Sequence, residues 1–186
     1  MRTTNPLQGA DPPCPLMKGE RGIPSLGPNA SVRVGYKQLF ASLLRFDLSP
    51  IPPGATIHEA WLEVYAGGWS GRGCDITIGA YAISPTVMIS ETTWLEAQSG
   101  AWWMGGGCSN TEFDRRTQPE YTLTTSGIPR WYRFDLTGLV REWCSGVLPN
   151  NGVLLRQEMS LPFTYFFFSH EYSNVDLRPR LVVRYQ

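Results

Sequence analysis

Two histidines, His58 and His170, are all the imidazole in this 186-residue chain, and neither sign of charge is in excess. Sixteen Lys and Arg balance sixteen Asp and Glu, which removes any general electrostatic drive toward nucleic acid or an anionic membrane. Charged residues make up 17% of the chain, below the usual share of about a quarter. Four cysteines are present and none forms a Cys-x-x-Cys pair, so a zinc site is poorly supplied. The longest apolar run, residues 161–168, falls far short of the roughly 20 residues a membrane-spanning helix needs. Gly-x-Ser-x-Gly, His-Glu-x-x-His, a P-loop and a helix-opening Gly-x-Gly-x-x-Gly are all missing. Each histidine precedes a glutamate, but neighbours on a strand face opposite sides, so no His–Glu dyad is implied. Glu91, Asp114, Glu171 and Asp176 could supply a hydrolytic carboxylate pair only if the fold brought two together. Asp75, Asp114 and Asp176 stand isolated and do not spell a calcium loop. The expectation is a protein without catalysis, cofactor or resident metal.

What the chain does have is punctuation and apolar material. Nineteen Gly and fifteen Pro suit many short strands and turns, and 42% hydrophobic with 12% aromatic residues suffices for one domain with a real core. The cysteines stand at 14, 74, 108 and 144. An even count in a Gly/Pro-rich β protein suggests two disulfides and an oxidising compartment. Of three connectivities we favour Cys74–Cys108, both in Gly-rich loops, with Cys14–Cys144 tying down the N-terminal region. Residues 1–30 are rich in Pro, Gly and polar groups, have no periodicity, and read as an extended arm that needs something to dock on. They contain no apolar signal region, so secretion requires a signal lost before this numbering or a larger parent protein.

Alternation from residue 31 onward predicts the sheets. Residues 31–36 read as a strand, as do 42–48. In 56–66, Ile57, Ala60, Leu62, Val64 and Ala66 face inward after one register adjustment, and Glu59, Trp61, Glu63 and Tyr65 face outward. Residues 67–73 read as a loop and 75–83 as the next strand. A helical turn is expected near 90–94, then a long excursion over 96–128 that is functional or covers part of the domain. A strand at 131–136 leads into a short helix at 137–144, with Thr137 as N-cap and Leu139, Val140 and Trp143 buried. Strands at 153–156, 163–169 and 181–185 follow. The aromatic run 163–168 fits a central strand covered on both faces.

Two segments reading Arg-Phe-Asp-Leu, at 45–48 and 133–136, are followed by Ser49 and Thr137. With the Val-Gly-Tyr-Lys at 34–37, the Pro-Pro-Gly-Ala-Thr-Ile at 52–57, Val140, Trp143, the Asn-Asn-Gly-Val-Leu-Leu-Arg at 150–156, Phe168, Ser169, Glu171 and the Leu-Arg-Pro-Arg-Leu at 177–181, they resemble the DNRLRE domain family. That family is similar to carbohydrate-binding module family 96. The resemblance covers residues 31–186 and departs before them, where the family's first strand is not evident. It implies an all-β, jelly-roll-like antiparallel β-sandwich with one or two short helical turns, found in secreted and cell-surface proteins.

Two functions follow as expectations. In the first, the chain is an extracellular structural subunit that polymerises with its own copies, its arm adding a strand to a neighbour's open edge. In the second, it binds a polysaccharide, with acidic ones among the candidates, through the loop tryptophans Trp69, Trp102 and Trp103 and the basic Lys37, Arg156 and Arg180. Arg45, Glu171 and Arg178 are expected to form an internal ion pair across neighbouring strands.

Overall fold

The computed structural model describes residues 31–71 and 75–186. The arm, Cys14 and Cys74 lie outside the described residues. The described residues form eleven strands and one α-helix: β1 (Ser31–Gly35), β2 (Ser42–Leu44), β3 (Ile57–Ser70), β4 (Thr77–Ala82), β5 (Glu96–Gln98), β6 (Ala101–Trp102), β7 (Tyr121–Thr124), β8 (Arg130–Asp135), α1 (Thr137–Ser145), β9 (Val153–Gln157), β10 (Thr164–Phe168) and β11 (Arg180–Tyr185). A 3-10 turn covers Val175–Leu177.

The strands make an antiparallel β-sandwich. The five-stranded sheet is organised on β3. Glu63 is opposite both Arg180 and Arg133, and Ala66 is opposite both Phe167 and Arg130. A strand has two edges, so β8 occupies one edge of β3 while β11 and β10 follow one another along the other. β1 then pairs with β10. The second sheet runs β2-β9-β4-β7. The chain changes sheet at most of its long connections, as a jelly roll does.

The core lies between the sheets. Ile57, Ala60, Leu62, Val64 and Ala66 point into it from β3, against Ile78, Ala80 and Ala82 of β4 and Val153 and Leu155 of β9. The register adjustment that the inward set demanded is a bulge: Arg184 pairs with Glu59 and Tyr185 with Ile57, which leaves His58 as the extra residue. β10 is buried at all five positions between β1 and β3. α1 closes one end with Leu139, Val140 and Trp143, and ends on Gly146 in the left-handed conformation.

Several expectations are corrected. β3 continues through 67–70, so the supposed loop is strand and Trp69 belongs to the core. A side chain at Gly67 would overlap the ring of Phe168, so this glycine marks close packing across the sheet and not a turn. β2 covers only three of the seven residues expected. The turn expected at 90–94 closes earlier, at 88–92, where the N–H groups of Glu91 and Thr92 donate to the Met88 carbonyl, and the excursion supplies an unexpected edge strand, β7. Thr137 is not an N-cap: its hydroxyl donates to Asp135 and accepts from the Ala60 amide, joining helix to sheet.

Candidate functional site

The six residues expected to hold a glycan do not share a face. Trp69 is in the core, and Trp103 is only 6% exposed, its indole N–H donating to the Thr93 carbonyl. Neither can stack on a sugar. Trp102 on β6 is 66% exposed. Lys37 is exposed in the turn after β1, Arg156 is half-buried on β9, and Arg180 is on β11.

The burial of Trp103 has a physical cause. Leu43, Tyr81 and Leu154 lie on the outer face of the four-stranded sheet, where an apolar surface must be covered. Trp103, Val87, Ala97 and Cys108 of the excursion pack on them as a second core. Asp114 fixes this roof. It is buried, and its carboxylate accepts from the backbone N–H groups of Met104, Gly105 and Asn110.

Cys108 and Cys144 form no disulfide among the described residues, and their expected partners, Cys74 and Cys14, lie outside those residues. Cys108 is sealed inside the roof with its thiol donating to the Asp114 carbonyl, and burial pushes its pKa up to about 12. The expected ion pair also fails. Arg45 donates to the Val87 carbonyl and Arg178 to the Tyr172 carbonyl. Glu171 instead lies 3.8 Å from His170, because both residues are in a turn where neighbours can meet. Of the four carboxylates considered for hydrolysis, Asp114 is committed to backbone and Glu91 accepts from Ser99. Among the described residues no three His, Cys, Asp or Glu side chains gather as a metal site would require.

What the fold does assemble is a row of planar groups on the outer face of the five-stranded sheet. Alternation puts Trp61, Glu63 and Tyr65 of β3 outward, with Trp131 and Arg133 of β8 on one side and Arg180 of β11 and Phe168 of β10 on the other. Tyr172 stacks on Phe168 at 3.7 Å, Phe168 stacks on Tyr65 at 5.4 Å, and Tyr65 meets Trp131 edge to face at 5.3 Å. The Arg180 guanidinium lies 4.5 Å from the Trp131 ring centroid. Glu63, only 4% exposed, is held by two arginines, Arg133 Nε and Arg180 Nε each 2.6 Å from one of its oxygens. One carboxylate is thus shared by two guanidiniums. Farther along, Arg184 pairs with Glu59 at 3.2 Å and adds no net charge.

Tyr65, Trp61, Trp131 and Tyr172 are half-exposed, and Arg133 and Arg180 are exposed. The row therefore presents aromatic surface and guanidinium N–H donors together, with one positive charge in excess. Arg133, Tyr65 and Trp131 escaped selection as site residues because nothing in the linear order brings β8 beside β3. The available signal was the outward parity of 59–65, which marked a polar and aromatic stripe.

The chain matches no protein-family model and no curated protein.

Proposed function

We propose that the chain is a non-catalytic, extracellular β-sandwich module of the DNRLRE type that binds an acidic polysaccharide across the outer face of its five-stranded sheet. The planar row with its single shared carboxylate carries this reading. Arg133 and Arg180 spend Nε on Glu63 and keep their outer nitrogens for a ligand, a fork suited to a uronate carboxylate. The flanking tyrosine and tryptophan rings offer apolar surface to a sugar. With no disulfide among the described residues, the extracellular setting rests on the family resemblance alone.

Calorimetric titration with oligogalacturonate and with a neutral glucan tests the reading. The acidic oligomer should bind more weakly as salt rises, the neutral one not at all. Trp131→Ala and Arg133→Gln should each lower affinity about tenfold, the loss of roughly 1.4 kcal/mol. Equal binding by wild type and both variants, or none by wild type, would sink it.

A second reading, a structural subunit assembling through residues 1–30 by strand addition, is favoured by one observation. Among the described residues β11 pairs only with β3, which leaves its other edge unpaired. Light scattering and electron microscopy of the chain with and without residues 1–30 decide it. Polymers that vanish on truncation support assembly, and a monomer in both samples, near 20.8 kDa for the full chain, rejects it.

A further inference from the structure

Arg115 and Arg156 lie near enough to feel one another's charge on the opposite side of the molecule, where the roof ends over the four-stranded sheet. Arg156 is on β9, paired in register with Gly79 of β4. A side chain at Gly79 would overlap Glu158 and the Tyr81 ring, so the floor here is tightly built. Arg115 arrives from the excursion, held by an isolated bridge to Ile83, and lays its guanidinium 4.0 Å from the Tyr81 ring centroid.

Both guanidiniums are half-buried, and neither takes part in an ion pair among the described residues. Arg115 Nη1 donates to the Arg116 carbonyl, while its Nε is buried with no partner. Arg156 reaches the Gly107 carbonyl at 3.5 Å and Gln38 Oε1 at 3.3 Å, both long for a charged donor. The nearby acids make no ion pair with either arginine, although the charge of Glu158 still acts on Arg156. Glu158 accepts the Tyr81 hydroxyl at 2.7 Å, and Asp114 accepts three backbone N–H groups. Burial, then the charge of Arg115, depress the pKa of Arg156. Two like charges held together out of full solvent, with donors unspent, are costly unless an acceptor completes them.

We propose that Arg115 and Arg156 form a binding site for a tetrahedral oxyanion, sulfate or phosphate, with Gln38 and Tyr81 as its walls. One carboxylate saturates a single guanidinium fork with its two oxygens. A tetrahedral oxyanion has oxygens for both forks. The anion is either free or the terminal monoester of a sugar. The site is independent of the planar row on the other sheet.

The first test is titration of the 15N-labelled chain with sodium sulfate, sodium phosphate, sodium acetate, glucose 6-sulfate and glucose 6-phosphate at constant ionic strength. Arginine side-chain Nε–H signals are followed throughout. Saturable shifts of the Arg115 and Arg156 signals with sulfate or phosphate, at least tenfold tighter than with acetate, are expected. A sugar ester that binds more tightly than the free ion identifies the terminal group of a ligand. Equal or weaker binding of the ester identifies the free anion. Arg156→Gln should weaken the tetrahedral anion at least tenfold, and Lys37→Gln, on the neighbouring turn, should change it less than twofold. No saturable shift in wild type, shifts centred on other arginines, or an equal loss in Lys37→Gln would each overturn the site. The wild-type titration decides the question even if Arg156→Gln fails to fold.

Discussion

The outer faces of the two sheets began from the same kind of alternating strand and ended differently. On the five-stranded sheet the outward positions of β3 are Glu59, Trp61, Glu63 and Tyr65, groups that tolerate water and bond one another, and this face stays open. On the four-stranded sheet the outward positions include Leu43, Tyr81 and Leu154, and the chain spends the segment between β4 and β7 covering them. A tryptophan is therefore to be judged by the face beneath it and not by its distance from a strand. Trp103, in the loop-rich excursion, is a core residue. Trp131, inside a strand, is half-exposed on the surface row.

Substitution should separate these faces, and the largest effect is expected under the roof. Trp103→Ala removes a buried aromatic and should cost about 3–5 kcal/mol in denaturant unfolding. A loss as large for Trp131→Ala would break the distinction between the faces. Glu63→Ala comes next. It strands two arginines that remain partly solvated, so roughly 1–3 kcal/mol is expected, below the cost of breaking a fully buried pair. Glu63→Ala should also loosen glycan binding by unfixing Arg133 and Arg180. Asp114→Ala leaves three backbone N–H groups without their acceptor. Hydrogen exchange should rise at Met104, Gly105 and Asn110 while the β3 amides keep their protection.

The thiols give a pH-dependent contrast. Cys108 is sealed with its pKa pushed up to about 12, so alkylation followed by mass spectrometry at pH 8 should leave it unmodified in the native protein. Cys144, exposed on α1, should be labelled. Because the folded state holds the Cys108 proton more tightly than the unfolded state, its contribution is intact below the unfolded thiol pKa of about 8.5 and is lost as pH rises toward 12. Tyr81, also raised to about 12, adds a decline of the same sign above about pH 10. Measured stability should thus fall across pH 9–12, and Cys108→Ser should remove the lower part of that slope. Smallest of all, Trp102→Ala should change stability by less than about 0.5 kcal/mol, since it touches neither core.

Legibility in the sequence tracked how many faces an element buries. The inward set of β3 was readable, bulge included, because period-2 alternation survives one extra residue. β10 was readable because only a strand covered on both faces tolerates such an aromatic run. The edge strand β7 and the far end of β3 were not. β7 has three of its four residues exposed and carries almost no hydrophobic signal, and Gly67 imitates a turn while serving a close contact with Phe168. The candidate site was half readable. Outward parity marked the stripe on β3, but that Arg133 and Arg180 converge on Glu63 depends on strands about 70 and 120 residues downstream, a separation no periodicity spans.

The habit of crossing between sheets also governs how the molecule reaches its native state. β1 pairs with β10 and β3 with β11, near opposite ends of the described chain, while β5–β6 is a local hairpin that belongs to the roof and not to the sandwich. Few native contacts repay the closing of these loops until late, so folding should take on the order of milliseconds to seconds, slow for a domain of this size. The same topology obstructs the reverse path. Peeling β11 from its edge leaves β8 and β10 still paired to β3, so losing one end of the chain does not dismantle the sheet.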